Sequence, residues 1–184
     1  LDAGTGSGAI AVAIAAKRPD VDIDASDNSA LALEVARGNA DKHGARVSFY
    51  QSDWFAALQG RRWHLIVSNP PYIAADDPHL AGLSAEPESA LVAAERGIAA
   101  LAHIIDQSPN FLYKKGWLLL EHGYDQATSV RKLMTNNNAT AVITICQVHS
   151  GTRITQKLTG QNSIKILQCS GLTYLLQDLA EERF

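Results

Sequence analysis

The chain has 184 residues, 46% hydrophobic and 19% charged, which gives enough apolar material for one sizeable core and reads as a single domain. Its 16 basic and 19 acidic residues leave a net charge of −3, which excludes the bulk positive field of a polyanion-binding protein while leaving room for a local basic patch. Cys146 and Cys169 have neither metal-ligand spacing nor the density of a disulfide scaffold, which points to inert thiols in a reducing compartment. No apolar run approaches the ~18 residues that span a bilayer. Leu1-Asp2 leads straight into a glycine loop rather than a signal peptide.

In chain order, Leu1-Asp2-Ala3-Gly4-Thr5-Gly6-Ser7-Gly8 followed by the small apolar run Ala9 to Ala16 reads as strand, loop and helix. Such a loop normally follows a complete strand, so a truncated first strand is expected. Glycines at alternate positions let a backbone turn tightly and let a ligand approach the amides at a helix N-terminus, which favours a nucleotide-like ligand. Gly4-x-Gly6-x-x-Ala9 also satisfies the dinucleotide fingerprint, so the loop alone leaves NAD and an adenosyl cofactor both open. A second strand, Val21 to Ser26, ends at Asp27, an acid placed to accept both hydroxyls of a ribose. The alternative role for Asp27 is to cap the helix that starts at Ala30, a task Ser29 could perform instead.

A third strand is expected from Arg46 to Gln51, with Ser52-Asp53-Trp54-Phe55 at its carboxyl end. In an open α/β sheet these ends line the ligand crevice, so Asp53 could hold an adenine amino group with Trp54 beside the ring; equally, Asp53 could cap a short helix from Trp54 to Leu58. The apolar run Trp63 to Val67 then ends in Ser68-Asn69-Pro70-Pro71-Tyr72. Two prolines cannot continue a ladder, so the chain leaves the sheet stiffly there. The Asn69 amide, the Pro70 carbonyl and the Tyr72 ring together suit a planar group bearing an NH2. Residues 73–90 lack periodicity, as expected of a mobile loop over a site, and His79 has no partner at ligand spacing, so no metal is expected.

Residues 88–109 read as an amphipathic helix with Leu91, Ile98, Leu101, Ile104 and Ile105 buried, followed by a strand from Trp117 to His122. Gln126 to Met134 continue as helix, Ala141 to Ile145 as strand, and Arg153 to Leu158 as its partner strand. The alternation implies an α/β fold: a doubly wound, mostly parallel, Rossmann-like sheet with right-handed crossovers. Residues 1–158 form that domain. Residues 159–184 carry no assignment, although Leu172, Leu175, Leu176 and Leu179 have helical spacing.

Five stretches in combination resemble the class I S-adenosylmethionine-dependent methyltransferases, and among them the glutamine-N5 methyltransferases of translation release factors (the PrmC/HemK family). They are Asp2 to Gly8, Gln51 to Phe55, Val67 to Ile73, Glu86-Pro87 with Ala90 to Ala93, and Leu118 to Gly123. The resemblance implies a class I sheet with an antiparallel last strand and S-adenosyl-L-methionine as cofactor. It implies that Asp2, Gly4, Thr5, Gly6, Gly8, Asp27, Asp53, Trp54 and Asn69 bind that cofactor, and that Asn69, Pro70, Pro71 and Tyr72 receive a glutamine side chain. Asn69, Pro70 and Tyr72 would then be catalytic. The implied partner is a protein, a peptide chain release factor, met in the cytoplasm without membrane or metal. Family members carry an N-terminal helical domain, which by this reading is expected to be missing here, and Leu83-Ser84-Ala85 stand where the family has an arginine and an aromatic residue. Adenine-N6 and cytosine-N4 nucleic-acid methyltransferases use a similar turn, but the acidic net charge argues against nucleic acid. A chain that binds cofactor or partner without turnover is the remaining alternative.

Overall fold

The computed structural model describes residues 1–71, 73–74, 92–123, 126–136, 141–147, 153–159 and 163–169. In chain order they form β1 (Asp2–Ala3), α1 (Ala9–Lys17), β2 (Asp24–Asp27), α2 (Ala30–His43), β3 (Ser48–Gln51), β4 (Trp63–Ser68), β5 (Ile73–Ala74) and β6 (Val92–Ala93). The chain continues through α3 (Ala94–Gln107), a 3-10 turn (Ser108–Asn110), β7 (Leu112–Gly123), α4 (Ala127–Asn136), β8 (Ala141–Gln147), β9 (Arg153–Thr159) and β10 (Ser163–Cys169).

Eight of the strands form one sheet in the order β10-β9-β8-β7-β4-β1-β2-β3, and β5 pairs with β6 separately. From β3 across to β8 every pairing is parallel; β9 runs antiparallel to β8, and β10 antiparallel to β9. The chain is therefore an α/β protein with the mostly parallel, doubly wound sheet that the alternation of elements implies. The sheet order reverses between β1 and β4, and at such a switch the strand ends part to leave a crevice.

Alternation along the strands sorts side chains onto the two faces. Leu1, Ala3, Ile66, Leu118 and Leu120 join Leu101, Ile104 and Ile105 of α3 and Val130 and Met134 of α4 in one buried cluster. That cluster extends to Phe55, Trp63 and Phe111, with Phe55 and Phe111 stacked at 4.6 Å between centroids. On the opposite face Asp2 reaches α1, whose Ala11, Val12 and Ala15 are buried, and α1 packs on α2. Small residues on α1 let it lie close to the sheet. Ser29 caps α2 by accepting the Ala32 amide at 3.2 Å, and Gly44, at φ 61°, ends it in the left-handed conformation.

Several boundaries differ from the sequence reading. The second strand starts at Asp24 and the third at Ser48, because only there do the two form a ladder. Of the helix expected over 88–109, residues 88–91 with Leu91 lie outside the described residues, Val92–Ala93 is β6, and α3 stops at Gln107 where Pro109 enters the 3-10 turn. The stretch from Trp54 to Leu58 is a run of turns held by Ala56 N–H to Asp53 O and Leu58 N–H to Phe55 O, not a helix. The strand expected from Trp117 begins at Leu112. Trp63 pairs with Leu112 and Leu65 with Trp117, so Tyr113 to Gly116 bulge out opposite His64 alone. Beyond Leu158, Ser163–Cys169 joins the sheet as β10; the helical spacing from Leu172 to Leu179 lies outside the described residues.

Candidate active site

The glycine loop leaves β1 at the carboxyl edge of the sheet and is stitched to the end of β2. The Gly4 and Thr5 amides both donate to Ser26 O, at 2.8 and 2.9 Å. The Gly6 amide donates to Asp27 Oδ2 at 2.8 Å, while Asp27 Oδ1 accepts the Ser29 amide at 2.9 Å. On its far side the loop is held by Asn39, whose amide donates to Ser7 O at 2.9 Å. Ser29, and not Asp27, is thus the side-chain cap of α2, while Asp27 braces the turn before it and holds the loop.

Gly8 occupies the N-cap of α1 at φ 81° and has no side chain with which to cap. Asp2 supplies the missing acceptor from β1: its Oδ2 takes the Ala11 amide at 3.1 Å and the Thr5 hydroxyl at 2.6 Å. A carboxylate at a helix N-terminus also meets the positive end of the helix dipole. Asp2 is only 2% exposed, and burial pushes its pKa above the usual carboxylate value, against the opposing pull of the Thr5 and Ala11 hydrogen bonds.

Each glycine serves a different need. A Cβ on Gly4 would lie 3.2 Å from the Trp54 ring, one on Gly8 would lie 3.0 Å from the Ala36 Cβ, and one on Gly6 would meet no atom of the described residues within 4 Å. Gly6 therefore borders open space. Trp54, at φ 46°, is half-buried with its ring against Gly4. Asp53 is exposed and hydrogen-bonds no other described residue through its side chain; the bond that braces this turn comes instead from Ser52, whose Oγ accepts the Ala57 amide at 3.0 Å.

Beside this loop, β4 ends in the Asn-Pro-Pro turn. Ser68 Oγ donates to Ala3 O at 2.6 Å, tying the end of β4 to the end of β1 one residue before the glycine loop. Pro70 is buried and Pro71 half-buried, so the turn is anchored, whereas Asn69 is exposed and its amide hydrogen-bonds no other described residue. Tyr72 lies outside the described residues, as do residues 75–91 with His79 and Leu83-Ser84-Ala85; β5 and β6 pair on either side of that stretch. The sequence reading missed Ser68 and Ser26. The signal for Ser68 was its place directly before Asn69 at the end of a buried strand.

These residues fit an adenosyl cofactor. Among the described residues Asp2 Oδ1 and Ser26 Oγ are buried and without a hydrogen-bond partner, which is costly unless a ligand or water completes them. The open space at Gly6, the start of α1 and the remaining acceptor capacity of Asp27 lie along the same loop.

Residues 1–83 match the family model described as Methyltransferase small domain. The fold has counterparts among solved structures: a methyltransferase from Pyrococcus furiosus, with a TM-score of 0.60 and 15% identity over 94% of this chain and 74% of that one, and the ribosomal protein L11 methylase of Lactobacillus delbrueckii subsp. bulgaricus, at 0.55 and 23% over 77% and 59%. At these identities the likeness is one of fold: this chain shares an α/β architecture with both structures. In sequence it is similar to proteins named release factor glutamine methyltransferase. It is 48% identical to that of Yersinia pestis over 84% of this chain and 57% of the relative, and 47% identical to that of Xylella fastidiosa over 71% and 49%. The match to the Coxiella burnetii protein is 50% over 72% and 48%. The chain spans about half the length of the curated relatives it matches.

Proposed function

We propose that this chain carries the catalytic domain of an S-adenosylmethionine-dependent glutamine methyltransferase whose substrate is a peptide chain release factor. The observation that carries the reading is the Ser68–Ala3 hydrogen bond, which sets the glycine loop and the Asn-Pro-Pro turn side by side at one edge of the sheet. A donor site and a site for a planar amide then adjoin. The names of the relatives support the substrate class.

In this reading Gly4, Thr5, Gly6 and Gly8, with Asp2, Asp27, Asp53 and Trp54, hold the cofactor, and Asn69, Pro70, Pro71 and Tyr72 hold the glutamine side chain. Bound there, S-adenosylmethionine supplies an electrophilic methyl group on a sulfonium. An amide nitrogen is a poor nucleophile because its lone pair is delocalised into the carbonyl, so the task of this chain is orientation and charge stabilisation. Asn69 Oδ1 and the Pro70 carbonyl accept the two N–H bonds and favour the positive charge that develops on nitrogen as it takes the methyl group. As the new N–C bond replaces the S–C bond, which would leave a neutral thioether, one N–H proton would be lost to solvent. Such positioning is worth ~7–11 kcal/mol in oriented systems, so no strong base is needed for the transfer itself. Residues 1–158 form the unit that does this, in the cytoplasm; among the described residues no helix is long and apolar enough to cross a membrane.

The test offers labelled S-adenosylmethionine with a release factor, a ribosomal protein and DNA in parallel. Label is expected on a glutamine of the release factor. Asn69→Ala is expected to lower kcat by ~10²–10³ with cofactor affinity little changed, as for loss of one preorganised contact. Label on DNA alone would move the substrate class to a nucleobase amine, and unchanged turnover in Asn69→Ala would make the turn purely structural.

A further inference from the structure

The three amides from Gly4 to Gly6 are all held by the last two residues of β2, but not in the same way. The first two donate to a main-chain oxygen, Ser26 O, which any residue would provide. The third donates to the carboxylate of Asp27 and so depends on a side chain. Packing differs along the loop as well. Gly4 lies against the Trp54 ring and Gly8 against Ala36, so both ends are fixed by contact, while Gly6 has no atom of the described residues within 4 Å of where a Cβ would be. With φ at 55°, Gly6 also sits in the left-handed region, where its peptide has no steric preference that would hold it. Thr5 and Ser7 on either side are tied to Asp2, Asn39 and the Gly8 amide, and the Gly6 peptide itself is held by one hydrogen bond of 2.8 Å, to Asp27.

We infer that Asp27 is a positioning residue for the glycine loop in addition to being a ribose contact, so that it governs binding of the part of the cofactor that lies along the loop. The inference rests on the cofactor reading above. A carboxylate offers about four acceptor sites. Gly6 and Ser29 use one on each oxygen, and one on each remains for a cis-diol. Asp27 can therefore hold loop and ribose at once. Its second oxygen also fixes the turn into α2, so the loop, the ribose and the start of α2 share a single charged group.

The two roles separate by calorimetry with S-adenosylhomocysteine and its 2′,3′-dideoxy analogue, on wild-type protein and Asp27→Ala, with Asp27→Asn as the second variant because it keeps one acceptor oxygen. Gly6 amide exchange in the ligand-free proteins is measured alongside. If Asp27 positions the loop, Asp27→Ala weakens the dideoxy analogue roughly tenfold or more relative to wild type, the scale of one hydrogen bond to a charged group. Gly6 exchange accelerates by a similar factor, and Asp27→Asn falls between. A change in global stability alone would move neither the difference between the two ligands nor Gly6 relative to other loop amides. Equal affinity of wild type and variants for the dideoxy analogue, with Gly6 exchange unaltered, overturns the inference and leaves the ribose contact standing. Failure of wild-type protein to bind either ligand overturns the cofactor reading instead, and unaltered Gly6 exchange in the variants would still overturn the positioning role. Should Asp27→Ala not fold, Asp27→Asn takes its place: Gly6 exchange faster than in wild type supports the positioning role, and exchange at the wild-type rate overturns it.

Discussion

Gly6 and Gly8 stand two positions apart in one loop, both at positive φ, yet an alanine at each is expected to fail in a different way. At Gly8 the left-handed backbone costs an L-residue about 1–2 kcal/mol. The added Cβ would also lie 3.0 Å from Ala36 Cβ and 3.2 Å from Ala36 Cα, where helix backbone cannot yield cheaply. Overpacking of that kind costs about 1–3 kcal/mol. Gly8→Ala is therefore expected to lose about 2–5 kcal/mol of a total that for most domains is about 5–15 kcal/mol, at a fall in Tm of roughly 2–4 °C per kcal/mol. At Gly6 only the backbone cost of about 1–2 kcal/mol applies, because the new methyl group meets no atom of the described residues within 4 Å. Its methyl group would instead occupy the space proposed for the cofactor. Urea unfolding and calorimetry with S-adenosylhomocysteine on both variants distinguish the cases: Gly8→Ala less stable by about 2–5 kcal/mol, Gly6→Ala by only about 1–2 kcal/mol but weak in binding. Adding Ala36→Gly should recover part of the Gly8→Ala loss and none of that from Gly6→Ala. Equal stability of the two variants, or normal binding by Gly6→Ala, would refute the division between a packed glycine and an open one.

Asp2 gives a prediction with a sign in pH. Its folded pKa is raised by burial, so the stabilisation it brings is fully present below the unfolded value and is lost as pH rises through the folded value. Asp2→Asn does not titrate, so its urea midpoint relative to wild type should rise from about pH 4 upward; a pH-independent difference, or one of opposite slope, would contradict this. Ser68→Ala removes the buried bond to Ala3 O and should cost about 1–3 kcal/mol, read as an unfolding midpoint, whereas a loss within about 0.5 kcal/mol would show that bond to be unimportant.

The strand ends were legible in the sequence because each fold element announced itself through a short-range pattern. The glycine loop, the acid at the end of the second strand and the two prolines after Ser68 all sit where one strand stops, and the sheet sets those stops along one edge. What was not legible is what joins them. Asp2 reads as the last residue of a strand, and nothing local reveals that it caps a helix whose amide lies nine residues downstream. Ser26 and Ser68 look like ordinary strand residues until β1 is placed between β2 and β4. Asp53 carried the expectation of a cap from its composition, but the next-door hydroxyl of Ser52 makes that bond, a choice settled by backbone direction and not by residue type. The strand read as starting at Trp117 starts at Leu112, with Tyr113 to Gly116 a bulge within it, because Leu112 meets the ladder beside Trp63.

The Ser68–Ala3 bond has a bearing on how the chain comes together in time. It joins residues 65 positions apart, while the Gly6–Asp27 bond joins residues only 21 apart. On a growing chain the loop and its acid can meet early, as part of a local strand-helix-strand unit, but the turn that completes the site cannot dock until β4 has emerged and found β1. Pairings between parallel strands so far apart in sequence form slowly, since the entropy of closing the intervening chain is spent before any contact rewards it. A ligand stabilises only the state that binds it. Cofactor in solution therefore cannot guide the first steps of assembly; it can only retain molecules whose central strands have already met.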